Sequence, residues 1–331
     1  MRPNEGLRAI WLGTKVSRPA FVWSLAFSVT DLLTSRENEM SMTVKRYGIV
    51  VGVDGSAASD AAVFWAARDA AMRNVPLTLV HMFKTFVPTF PQIPMPSGVA
   101  EWQEDDGRKV LEQAVKIAED AVPKDRKISI TSEVKCSLPV PTLVEMSKEA
   151  EMIVVGNTGR GAVGRVLLGS VSSGVVHGAN CPVAVIRAEA SYLPRSDRAP
   201  VLVGIDCSPA SELALAIALD EASRRGVGLR ALHAWSDVAV YQLPWVDWND
   251  EAERSLAEYL SGWHEQYPDV EVHRVIALDH PGRALVEESE SAQLVVVGSH
   301  GRGGVASMVL GSVSNAVVHS VTTPVIVARP S

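Results

Sequence analysis

Gly156-Asn-Thr-Gly-Arg-Gly-Ala-Val-Gly-Arg-Val-Leu-Leu-Gly-Ser170 returns later in the chain as Gly298-Ser-His-Gly-Arg-Gly-Gly-Val-Ala-Ser-Met-Val-Leu-Gly-Ser312. The match runs on to Pro182-Val-Ala-Val-Ile-Arg187 and Pro324-Val-Ile-Val-Ala-Arg329, with 17 of 32 positions identical at an offset of 142. An internal repeat of this length makes the chain two copies of one unit. The first parts of the copies align at an offset of 152: Val51-Gly-Val-Asp-Gly-Ser56 with Val203-Gly-Ile-Asp-Cys-Ser208, and Leu79-Val-His81 with Ala231-Leu-His233. The second copy is therefore shorter by ten residues. The Pro-rich stretch 87–96 of the first copy is the expected place, a composition that suits a surface loop.

Apolar runs alternate with helical patterns in each copy. Ile49 to Val53, Leu77 to Met82, Ile128 to Val134, Met152 to Val155 and Val183 to Ile186 read as strands. Helices are expected over 59–71, 102–121, 142–150 and from about Ser170. The second copy repeats the series, with strands at 201–205, 229–233, 270–277, 294–297 and 325–328. Its helices are expected over 211–224, 251–267, 282–289 and 312–320. Alternation of this kind predicts an α/β fold: two tandem, open, parallel five-stranded sheets flanked by helices, Rossmann-like in kind. The expected domains are 43–190 and 198–331, joined by a polar linker at 191–197.

Residues 1–42 differ from the rest. Pro19 to Val29 is apolar but about half the length a bilayer needs. Arg2, Arg8, Lys15 and Arg18 precede it, as in a signal peptide, but no small-residue cleavage site follows. The expectation is a disordered leader, or a functional start at Met40 or Met42. The chain of 331 residues has a net charge of −7, which argues against nucleic acid as a partner. Three cysteines without CxxC or Cys/His spacing point to no metal site and to a reducing, cytoplasmic setting.

The chemistry sits in a glycine loop between a buried strand and a helix. Its pattern is Gly, two residues, Gly, nine residues, Gly-Ser: Gly156, Gly159, Gly169, Ser170 in copy one, and Gly298, Gly301, Gly311, Ser312 in copy two. Glycines at a strand exit let backbone N–H groups approach a phosphate. Gly-Ser at a helix start suggests an N-cap hydroxyl beside free helix N–H groups, an anion site. Arg160 and Arg302, inside the loop, are placed to offset phosphate charge. Tight turns alone would also use such glycines, but the same strand–loop–helix context twice favours the anion site. No GxxxxGK[ST], GxSxG or HExxH is present. Gly159-x-Gly161-x-x-Gly164 fits the dinucleotide fingerprint, but it follows a late strand and its third glycine is missing from copy two.

Val-Gly-Val-Asp-Gly-Ser at the first strand, with Gly-x2-Gly-x9-Gly-Ser after a Val-Val-Gly strand, resembles the ATP-binding class of the universal stress protein family. The resemblance covers both copies. It implies that ATP, with Mg2+ as accompanying cation, binds each copy. It places the nucleoside against Asp54 and Asp206 and the adenine against backbone at Met82 and Ala234. Ribose and phosphates then fall to Gly156, Gly159, Gly161, Gly169, Ser170 and Val171, and to Gly298, Gly301, Gly303, Gly311, Ser312 and Val313. It further implies regulation rather than committed chemistry, an unknown protein partner, pairing of the two copies through their last strands, and a homodimer of chains. An Asp in a turn also bonds nearby backbone, so a local role for Asp54 and Asp206 stays open. A slow ATP hydrolase and a nucleotide-independent scaffold are the competing readings; Asp54 and Asp206 are the repeat-related candidates for a base.

The copies depart from symmetry at Gly55/Cys207, where the first loop of copy two is expected to tighten or rewire. They also differ at Val140/Gly282, where valine is expected to obstruct backbone approach. His81 with His233, and His177 with His319, read as packed scaffold, and Trp245, Trp248 and Trp263 as packing under a loop.

Overall fold

The computed structural model describes residues 46–84, 99–159, 168–191, 198–234, 248–301 and 310–330. The expected leader 1–42, the Pro-rich loop, linker residues 192–197 and Trp245 lie outside them.

Copy one runs β1 (Ile49–Val53), α1 (Ala57–Arg73), β2 (Leu77–Phe83), α2 (Val99–Ala121), β3 (Ile130–Cys136), α3 (Pro139–Met146), β4 (Met152–Gly156), α4 (Ser170–Gly178) and β5 (Val183–Ile186). Copy two runs β6 (Val201–Gly204), α5 (Pro209–Arg225), β7 (Leu229–Ala234), α6 (Trp248–Ser261), β8 (Val272–Ala277), α7 (Pro281–Ser289), β9 (Leu294–Gly298), α8 (Ser312–Ser320) and β10 (Val325–Ala328). Helix α3 begins at Pro139, three residues earlier than expected, because proline suits a first helical position where an N–H has no partner to lose. Helix α6 ends at Ser261, short of the expected Tyr267. Gly262 follows it, and the chain then turns through bonds from Trp263 and Gln266 to the carbonyls of Leu260 and Trp263.

Each copy forms a five-stranded parallel half, and the halves join. The strand order is β3-β2-β1-β4-β5-β10-β9-β6-β7-β8, and the central pair β5·β10 is antiparallel, with Val185 opposite Val325. These are the last strands of the two copies, whose pairing the family resemblance implied. Strands next to the join are fully buried, as continuous Val/Ile runs require in a two-faced sheet. Alternation sends Ile49, Val51 and Val53 to one face, under α1 and α2, and Val50 to the other, under α3 and α4. Both apolar layers continue through copy two.

Polar contacts cross the join in matched pairs. Asp69 and Arg73 on α1 answer Glu221 and Arg225 on α5 at the repeat offset. Arg73 Nε bonds Asp69 at 2.8 Å and its Nη2 bonds Glu221; Arg225 Nη2 bonds Asp69 at 3.0 Å and Glu221 at 2.8 Å. Both carboxylates are buried, so the four charges hold one another where water cannot. Burial and the Glu221 charge push Asp69 up to about 6. At Glu221 burial acts in the same sense, but Arg225 and Arg73 outweigh it and bring the group down to about 2. Proton affinity thus concentrates on Asp69. A second exchange involves the residues that follow β5 and β10. Arg187 donates to the carbonyls of Val318 and His319 at the end of α8, and Arg329 to those of Val176 and Ala179 at the end of α4. Each copy therefore caps a helix of the other with a cation, which favours the negative helix end.

Candidate functional site

In each half the strand order reverses between two parallel neighbours, β1 and β4 in one and β6 and β9 in the other. Ligands of open α/β sheets bind outside the carboxyl ends of strands at such a point. Asp54 leaves β1 there, and Gly156-Asn157-Thr158-Gly159 leaves β4.

Asp54 works in two directions. Its Oδ1 accepts the N–H of Ser56 at 3.0 Å, the local turn bond that the sequence left open. Its Oδ2 faces the loop, 2.6 Å from where a β-carbon on Gly159 would stand. Asp206 repeats both features, with Ser208 at 3.0 Å and the Gly301 position at 2.6 Å. Gly159 and Gly301 are thus the positions where absence of a side chain leaves room for the carboxylate. Gly156 and Gly298 serve packing instead. A β-carbon on either would lie 2.8–2.9 Å from backbone of Ala58 or Ala210, at the start of α1 or α5.

Gly169 caps α4 and Gly311 caps α8, neither with a side-chain bond, and Ser170 and Ser312 are the first helical residues. This corrects the expected N-cap hydroxyl: the cap residue is glycine, which offers the first-turn N–H groups no side-chain acceptor of its own. The next serine takes a different task. Ser172 Oγ donates to the Gly156 carbonyl at 2.6 Å, and Ser314 Oγ to the Gly298 carbonyl at 2.5 Å. The helix start is thereby tied to the strand end. Gly169 N–H adds a 2.6 Å bond to Asn157 O. The result in each copy is a helix N-terminus with positive dipole charge held against the switch point.

These elements surround a pocket in each copy. In copy two it measures about 570 Å³, and in copy one about 140 Å³. Asp54, Met82, Gly156, Gly159, Gly169, Ser170 and Val171 converge on the first, and Asp206, Ala234, Gly298, Gly301, Gly311, Ser312 and Val313 on the second. Arg160, Gly161, Arg302 and Gly303 lie outside the described residues. The larger pocket falls within the range that small-molecule ligands occupy. Its mixed wall of apolar side chains and backbone donors fits an aromatic base linked to an anion.

Sequence reasoning missed several lining residues. Ser59/Ser211, Leu143/Leu285 and Pro139/Pro281 line both pockets. Each pair recurs at its copy's offset, and that recurrence was the available signal. Thr158 and His300 occupy one position and differ. Val140 points away from its expected effect. A β-carbon on Gly174 would lie 2.8 Å from its methyl groups, so valine packs against α4. In copy two the bulk changes sides: Gly282 faces the Ala316 β-carbon. Cys207 does not rewire its loop. Its φ of 60° matches the 73° of Gly55, at a cost a side chain normally avoids. His81 and His233 are buried, their Nδ1 atoms 2.8 and 2.7 Å from the carbonyls of Val53 and Ile205, the scaffold role expected. Trp263 packs on Tyr267 with ring centroids 6.4 Å apart. The Trp248 side chain is outside the description. Among the described residues no group of three His, Cys, Asp or Glu side chains is placed to hold a metal ion. Among them, too, no helix is long and apolar enough to cross a membrane.

The model of the Universal stress protein family matches residues 48–187 and again 198–329. The chain belongs to that family. A universal stress protein of Mycobacterium tuberculosis is 60% identical over 295 residues, covering 88% of this chain and all of the relative. A second from the same species is 52% identical, covering 88% and 99%. The crystal structure of a universal stress protein from Archaeoglobus fulgidus superposes with a TM-score of 0.62, at 22% identity, over 87% of this chain and 100% of that one. That likeness concerns the fold. Each universal stress module here presents its pocket at the same end of the shared sheet as the glycine loop that defines it.

Proposed function

We propose that each module binds an adenine nucleotide, ATP with Mg2+, and that occupancy acts as a signal in stress adaptation. One observation carries the reading: in both modules a carboxylate, a glycine loop and a helix N-terminus without a side-chain cap converge on one pocket at the switch point. Helix N–H groups favour phosphate, and Leu143 or Leu285 offers an apolar wall to a base. Asp54 or Asp206 stands where a ribose hydroxyl can donate to its oxygen. Regulation follows if ligand binds one conformation better than another. We read the pockets as binding sites rather than hydrolytic ones, because Oδ1 of each aspartate is committed to its own turn. The thiols of Cys136, Cys181 and Cys207 suit a reducing cytoplasm. With β5 and β10 paired inside the chain, a homodimer would have to use another surface. Calorimetric titration of the full chain with ATP·Mg2+ tests the proposal; saturable binding near two per chain is expected, and a flat titration would favour a nucleotide-independent scaffold.

A further inference from the structure

The two outer edges of the shared sheet are built differently. Among the described residues β3 ends the sheet on one side and pairs with β2 alone. Ser129 O accepts from the Leu77 N–H, and the Ser137 N–H donates to Phe83 O, so the odd-numbered residues of β3 face β2. Ile130, Ser132 and Val134 therefore turn N–H and C=O toward the outer edge, the arrangement that accepts another strand. Beside that edge α2 and β3 enclose an open groove of about 690 Å³, with apolar Leu111, Val115 and Val134 in its wall. Four charges of α2 line it at four-residue spacing: Glu104, Arg108, Glu112 and Lys116.

The signs alternate, so the row is complementary to itself when reversed. About a two-fold axis near Val110, Glu104 meets Lys116 of a second copy, and Arg108 meets its Glu112. Glu119, also in the groove, lies beyond this pattern. Arg108 bonds Glu104 and Asp105 on its own helix, but such exposed pairs hold an arginine only weakly. The strand points to the same axis. A β-carbon on Gly107 would lie 3.3 Å from Val134 Cγ1, so these two residues are level. Helix α2 runs back along β3, rising about 1.5 Å per residue against about 3.3 Å for the strand. Val110 is then level with the Ser132–Glu133 step. With Ser132 on the axis, Ile130 faces Val134 of the second copy, an apolar cross-strand pair.

The β8 edge cannot do the same. Ser132 pairs with Leu79, and Arg274 with Ala231, so Ser132 and Arg274 hold equivalent places in the repeat. A two-fold axis at Arg274 would set arginine against arginine. Arg274 instead reaches Glu253 on α6 at 3.6 Å.

We infer that the α2–β3 face is an interface between two copies of this chain, related by a two-fold axis at Ser132. Strand β3 adds to β3 through backbone bonds, and the α2 rows pair through alternating charge. The inference is independent of nucleotide binding.

Sedimentation of the full chain across micromolar concentrations tests it, using wild type, Arg108→Glu, Glu112→Arg, an equimolar mixture of these two variants, and Ser132→Arg. All three positions are exposed, so the variants should fold. Wild type is expected to dimerise. Each charge variant sets like charges opposite one another twice and should weaken the dimer about tenfold or more. The mixture should recover a heterodimer, because the two changed positions then face each other with opposite sign. Ser132→Arg, which installs the residue of the other edge, should also weaken the dimer. A wild type that stays monomeric would overturn the inference and leave the edge to a strand of another protein. A dimer indifferent to all three substitutions would place the contact elsewhere, and a mixture no tighter than its components would refute the two-fold pairing.

Discussion

Oδ2 of Asp54 lies 2.6 Å from the point a β-carbon on Gly159 would occupy, and Asp206 holds the same distance to the Gly301 position. An alanine at either glycine forces the carboxylate to rotate and to release the N–H of Ser56 or Ser208. That lost turn bond is worth about 1 kcal/mol, partly offset by the lower entropy of an unfolded alanine. Each single variant should therefore stay folded, with an unfolding free energy within about 1 kcal/mol of wild type. Nucleotide binding at the altered module should nevertheless fall by about tenfold or more, since the carboxylate proposed to meet the nucleoside has moved. Urea unfolding read beside calorimetric titration separates the two effects.

Cys207 carries a left-handed backbone that its counterpart Gly55 adopts without penalty. Cys207→Gly should stabilise the chain by about 1 kcal/mol, less what a glycine adds to unfolded entropy. An increase in the urea midpoint at constant slope is the expected signature.

Asp69 gives the join between modules a pH dependence of definite sign. Its folded value near 6 lies above the ordinary 3.8, so the native state holds a proton that the unfolded state has already lost. Its contribution is complete below about pH 4 and disappears as pH rises through 6. Asp69→Asn mimics the protonated form throughout. Wild type should lose stability relative to Asp69→Asn between pH 4 and 6, by up to about 3 kcal/mol. Glu221 runs the opposite way: its lowered value adds stability above about pH 4.5 that is lost as pH falls toward 2. Unfolding midpoints of both chains across pH 3 to 7 check the sign.

Arg187 and Arg329 bind the last carbonyls of helices in the opposite module. Replacing either by methionine keeps much of the apolar stem and removes the cation. Each change should cost about 2 kcal/mol. The pair should be close to additive, because the two caps bond carbonyls of different helices. Thermal and urea unfolding of single and double variants measure this.

Much of this was legible because periodic patterns and a repeat reinforce each other. Strands β1, β4, β5, β9 and β10 are short apolar runs ended by glycine or polar residues, and each occurs in both copies. Asp54 and Asp206 stood out for the same reason. The single ten-stranded sheet depends on pairing between residues about 140 apart, which no local pattern encodes, although it used the edges the family resemblance implied. The acid–arginine spacing of Asp69/Arg73 recurs in Glu221/Arg225, yet i,i+4 pairs ordinarily belong to one exposed helix face. Only the packing of α1 near α5 turns them into one buried network. The glycine cap of α4 escaped because serine is the usual cap and backbone angles decide the matter. His300 escaped because the repeat singles out shared residues, and this one is unique to its copy.

The most direct measurement is mass spectrometry of nucleotide carried by the protein after loading with ATP·Mg2+ and desalting, for wild type and for Gly159→Ala/Gly301→Ala. The account predicts adenine nucleotide near two per chain in wild type and little in the double variant, with both folded. Equal loading of the two proteins would contradict it by placing the nucleotide elsewhere, and no loading of either would deny that the glycine loops form nucleotide sites.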